Sequence, residues 1–254
     1  MRLAEYNSGM YREELHYKSL YNYDRPLEED DIFSRNLLNH PSFKRALNRC
    51  VEEFSHIRVS PIQSDHLDDV KWQGCSAAGY GYIGKKRDNY LAARRNASRA
   101  LYDFDKYREK YRFVPDKAYA RCQLTERLNP KVWHIWGRPF HSILIEGCIA
   151  SPIIDALLLE ESPIFLGRDL HKDMPYSIIK MLEQANYAYC LDFSKFDAHL
   201  SRGLIDAAWQ IVKTICPPKT ESDFLCYEYA EYFFIKCNTF LAILVEPFLD
   251  LNPK

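Results

Sequence analysis

The stretch YAYCLDF, residues 187–193, constrains this chain more than any other. Its continuous apolar character is that of a strand buried on both faces. It closes on a carboxylate, Asp192, and a second, Asp197, follows five positions later. A buried carboxylate needs a cation or hydrogen-bond donors beside it. Mg²⁺ suits such a position, since it takes one or two carboxylates together with phosphate oxygens and water. The D-x4-D spacing alone also allows a plainer arrangement, with Asp192 capping a turn and Asp197 in solvent.

A strand of this kind needs a sheet, and the rest of the chain is mostly helical in pattern. Residues 31–57 carry apolar positions at helical spacing with a break near Pro41. Residues 59–86, rich in Ser and Gly, predict loops and short strands. Residues 88–111 predict one long helix, and 118–140 predict extended segments around a turn at Asn129-Pro130. A buried helix is expected from 141 to 161, interrupted near Pro152, and a short amphipathic one at 177–185. Residues 203–215 place Leu204, Ile205, Ala208, Trp209, Val212 and Ile215 on one helical face, and 224–237 predict a further helix.

Charge is unevenly spread. Residues 84–138 hold 15 basic and 6 acidic side chains, although the whole chain is at −1. Such a block suits a polyanion such as nucleic acid or nucleotide phosphate, or a well-solvated helix face. Eight cysteines include no C-x-x-C pair, so no zinc site is expected, and Cys148 and Cys190 are read as small core residues. No leading apolar segment and no apolar run of the ~18 residues a membrane span needs are seen, which predicts an intracellular, reducing setting without membrane contact.

Three stretches, in order, resemble a known family. LDFSKFDAHLS (191–201) resembles motif A of viral RNA-dependent RNA polymerases. The resemblance implies that Asp192 holds catalytic Mg²⁺ or Mn²⁺ and that Asp197 reads the ribose 2′-hydroxyl of the incoming nucleotide. CSAAGYGYIGKK (75–86) resembles the S/T-x-x-G-Y segment that guides template, matched by Ser76, Gly79 and Tyr80, with Lys85 and Lys86 adding positive charge. RCQLTERLNPKVWHIWGRPFHSILIEGCIASPIID (121–155) resembles the basic fingers segment of partitivirus-like polymerases, matched by Lys131, Trp136, Gly137, Pro139, Glu146 and Gly147. That segment neutralises the triphosphate, a task for which Lys131 and Arg138 are the groups expected.

The fold so implied is α+β: a partial right-hand polymerase of the partitivirus or picobirnavirus type, with mostly helical fingers and the start of the palm sheet, incomplete at the C-terminus. It divides into an N-terminal helical region (1–70), fingers carrying the template and triphosphate segments (71–185) and a partial palm with motif A (186–254). RNA template and ribonucleoside triphosphates are the implied partners, in host cytoplasm or a viral particle, with no membrane; the oligomeric state is left open. Two departures stand out. Trp133 occupies the place of an expected arginine, and no Gly-Asp-Asp occurs in the 254 residues. Two-metal phosphoryl transfer needs carboxylates from two strands. The expectation is therefore a nucleotidyltransferase fragment that is inactive by itself, truncated or decayed, with the region after about 185 poorly stable. A non-catalytic RNA-binding remnant is the alternative. A haloacid-dehalogenase type of enzyme would want D-x-D, where this chain has Asp192-Phe193-Ser194.

Overall fold

The computed structural model of the chain describes residues 27–120, 134–159, 164, 166, 169, 171–193, 196, 200–236 and 243–244. In chain order the elements are α1 (Leu27–Asn39), α2 (Pro41–Phe54), α3 (Lys86–Tyr107), β1 (Lys117–Ala120), β2 (His134–Gly137), α4 (Phe140–Leu159), α5 (Asp173–Glu183), α6 (Arg202–Ile215), α7 (Glu221–Glu231) and β3 (Ile243–Leu244). A π-helical turn, Tyr232–Lys236, continues α7. β1 runs antiparallel to β2, with Lys117 opposite Gly137, and β3 adds in parallel on the other edge of β1. The result is a mostly helical α+β arrangement with one small sheet.

α1 and α2 are parted only by His40, as Pro41 predicts. Proline opens a helix well at its first position but pushes the preceding residue out of helical space. His40 is accordingly extended (φ −69°, ψ 127°), and its Nδ1 accepts the Ser42 amide hydrogen. α1 lies against α6, where the Gly203 N–H donates to Ser34 Oγ at 2.9 Å. α6 itself starts at Ser201, wholly buried, whose side chain accepts from the Leu204 amide. Its inward face is turned relative to the expectation: Gly203, Ala207 and Ile215 are buried while Ala208 is exposed.

The core lies between α3, α4 and α7. α3 contributes Ala93, Ala97, Ala100, Leu101 and Phe104, a stripe at three- and four-residue spacing whose small members admit close helix approach. α4 contributes Phe140, Leu144, Ile145 and Cys148, none of them reached by solvent. Around Phe104 the chain gathers Tyr111, Phe113, Tyr229, Tyr232 and Phe233, with neighbouring ring centroids 4.9 to 6.0 Å apart. Such edge and offset ring contacts add to the apolar area these side chains bury.

Four expectations are corrected. First, α4 runs unbroken through Pro152. A helical proline lacks the N–H that would reach the carbonyl four residues back. Here that carbonyl, Cys148 O, instead accepts the Ile62 amide from the loop 55–85 at 2.9 Å. The same loop closes α6, where Val59 N–H reaches Ile215 O at 2.9 Å and Arg58 reaches Thr214 O. Second, α4 is long and apolar enough to cross a membrane, although no such run was expected; its first half is the core helix just described. Third, residues 187–193 form no strand among the described residues, and every one of them is exposed. A strand is defined by its partners, and no described segment pairs with this one. Fourth, Cys190 is therefore exposed, whereas Cys148 is buried as expected.

Candidate functional site

The glycine-rich loop between residues 74 and 86 is held by its own backbone. Ala78 N–H donates to Gly84 O (3.1 Å), Lys86 N–H to Ser76 O (2.9 Å) and Arg87 N–H to Gly74 O (3.2 Å). Gly79, Gly81 and Gly84 all adopt φ between 81° and 84°, a region open to glycine and strained for other residues. At Gly79 space is also limiting. A Cβ there would lie 2.8 Å from the Arg138 carbonyl carbon and 3.0 Å from Pro139 Cα. Phe140 N–H donates to Ala78 O at 3.0 Å, so the loop rests directly on the β2–α4 junction.

A polar link fixes the far side of this loop. Asn96 Nδ2 donates to Tyr82 Oη at 3.0 Å, and Tyr82 Oη stands 3.0 Å from His141 Nδ1. Tyr82 Oη thus bridges Asn96 and His141. Burial holds His141 neutral, lowering its pKa to about 4. Neither Tyr82 nor His141 was singled out from sequence; a tyrosine and a histidine 59 residues apart carry no local signal.

Ser76 donates its hydroxyl hydrogen to Gln73 O at 2.8 Å. Lys85 is exposed beside it. Lys86 is half-buried, with its ammonium 5.8 Å from the centre of the Phe140 ring, and burial lowers its pKa. Among the described residues it has no carboxylate partner. Some of the other cations of the block do: Arg94 lies 3.3 Å from Asp68, Arg99 3.5 Å from Asp103 and Arg108 2.5 Å from Glu228. Part of the positive charge read along the sequence is thus paired within the fold.

Arg138 is enclosed. Its guanidinium pairs with Glu146, lies 3.6 Å from Asp116 and stacks on Phe233 and Phe234 at 3.7 and 4.6 Å. Its side chain is only 14% exposed. Burial raises the pKa of Glu146 to about 7 against the pull of Arg138, and burial raises Asp116 as well. One guanidinium thus faces two buried carboxylates. Lys131 and Trp133 lie outside the described residues, as does Asp197. Asp192 is exposed and makes no hydrogen bond or ion pair among the described residues. No three metal-ligating side chains gather among the described residues.

The site therefore joins two of the sequence-predicted segments, the glycine loop and residues 138–140 of the basic segment, while Asp192 is exposed to solvent. A glycine loop edged by lysines suits a protein that handles a polyanionic chain. The family profile of viral RNA-dependent RNA polymerases matches residues 2–243, and the chain belongs to that family. No curated protein matches it.

Proposed function

We propose that these 254 residues carry the fingers and the first palm motif of an RNA-directed RNA polymerase of the partitivirus or picobirnavirus type. The observation that carries this beyond the family match is the backbone contact between Gly79 and Arg138-Pro139. On this reading the template segment would rest on the segment assigned to the triphosphate, and one support would serve template and nucleotide together. Ser76, Gly79, Lys85 and Lys86 would follow the template backbone, Lys86 as a partly desolvated cation whose charge is not cancelled nearby. Lys131 would hold the triphosphate, and Asp197 the ribose hydroxyl. A site built around that hydroxyl discriminates strongly against a deoxyribonucleotide, which leaves the carboxylate unpaired.

Family members use Mg²⁺ or Mn²⁺, and Asp192 is the ligand this sequence offers. One exposed carboxylate does not make a two-metal site, which draws on carboxylates from two strands. The described residues therefore do not fit the metal pair by themselves, and we infer that residues 1–254 alone are inert. The test is template-dependent ribonucleotide incorporation by this chain in Mn²⁺, alongside salt-dependent binding of single-stranded RNA. Salt-sensitive binding without incorporation is expected. Incorporation that disappears in Asp192→Ala would show that the chain completes its own site, and absence of RNA binding would remove the template role.

A further inference from the structure

We propose that Arg138 is a positioning residue that holds the template loop through its own main chain, and not a group that contacts the nucleotide. This rests on the glycine loop guiding template. Four separate parts of the chain converge on the one residue. Its guanidinium is gripped by Glu146 on α4 and by Asp116 just before β1. Its flat face covers Phe233 and Phe234 in the turn after α7. Its carbonyl group forms the surface against which Gly79 packs, and the next residues, Pro139 and Phe140, complete the seat by donating Phe140 N–H to Ala78 O.

A triphosphate ligand must present its donors to an incoming substrate. Arg138 presents them to two carboxylates in a partly dry pocket, where a charge-assisted pair is strong and breaking it leaves a buried charge uncompensated. Asp116 makes the same point from the other side: its Oδ1 is buried with no hydrogen-bond partner, so the guanidinium is the one positive group that offsets it among the described residues. A planar guanidinium can pair with carboxylates at its edge while stacking on rings through its face; a lysine ammonium cannot. Fixing the side chain fixes the peptide at 138–139, and that peptide fixes the loop.

Hydrogen exchange on the whole chain tests this without RNA, so its outcome is separate from that of the polymerase assignment. In Arg138→Ala the amides of Ala78, Tyr82 and Phe140 are expected to lose protection by about tenfold or more. The α3 amides from 97 to 104 should change far less. Arg138→Lys keeps one ion pair and loses the stacking, so it should fall between the two, and it decides the matter should the alanine variant not fold. Affinity for tripolyphosphate, measured where the variant keeps its native circular dichroism, should stay within about twofold. Unchanged loop protection, loss spread evenly over the fold, or a tenfold fall in tripolyphosphate affinity with the loop intact would each overturn the proposal.

Discussion

Gly79 and Gly81 share a backbone conformation but not a neighbourhood, and that separates two effects usually confounded. Both have φ of 81°, yet a Cβ at Gly79 would overlap the Arg138 carbonyl while one at Gly81 meets nothing within 4 Å. Gly81→Ala should therefore lose about 1 kcal/mol, the cost of a non-glycine residue in the left-handed region. Gly79→Ala should lose about 3 kcal/mol or more, since the clash is with main chain that cannot step aside. Urea midpoints of the two variants measure the difference; equal losses would mean that the loop does not sit on the 138–139 peptide. Gly79 was legible in the sequence as a match to the segment that guides template. What it approaches was not, because the partner lies some sixty residues on.

His141 supplies a second residue-scale test. Its pKa falls from 6.5 in the unfolded chain to about 4 in the fold, with burial as the cause. The neutral ring is the one that fits, so its contribution is complete above about pH 6.5. It is lost progressively as pH drops toward 4, by about 3 kcal/mol in all. Glu146 runs the other way: its raised pKa means stability is lost as pH climbs from 4.5 through about 7. The raw pH profile mixes the two. The difference in unfolding free energy between wild type and His141→Gln isolates the first, and should shrink steadily from pH 7 to pH 4. A difference that stays flat with pH would mean His141 is charged or solvated in the fold.

At the scale of elements, helix positions were read well and helix continuity was not. The break before α2 follows from local chemistry, and so was visible. Pro152 looked like a break because sequence shows the missing N–H but not the Ile62 amide that replaces it. The Ile62 amide proton should accordingly exchange at the rate of global unfolding, although it sits in an irregular loop. Exchange at ordinary loop rates would show that Cys148 O finds its partner elsewhere. Arg138 carries the same lesson for charge. The two carboxylates that pair with this basic residue stand 22 residues before it and 8 after, where the sequence around it gives no sign of them.

For the whole molecule, the segment that most constrained the fold is the one the described fold leaves uncovered. Tyr187, Tyr189, Leu191 and Phe193 are 67–85% exposed, and Tyr176 and Ile179 of α5 are exposed as well. Their odd numbering is informative. In an extended strand alternate side chains face opposite ways, so these four large groups would cover one layer while Ala188, Cys190 and Asp192 faced the other. The run thus has a bulky side for packing and a small side on which the carboxylate stands, a pattern that makes sense once neighbouring strands exist. Among the described residues no strand pairs with it, which leaves its backbone N–H and C=O groups open to an extended chain and its apolar side to a hydrophobic surface. The chain should therefore bind a hydrophobic dye and self-associate at a rate set by this tract. Leu191→Lys should slow that association several-fold, as a charge on an exposed edge does. It should leave the melting temperature unchanged, because an exposed leucine contributes no packing to lose. Light scattering and thermal melts of the two proteins decide it. A lowered melting temperature in the lysine variant, or amides at 187–193 exchanging as slowly as those of α3, would place the segment in a sheet and bury the carboxylate end after all.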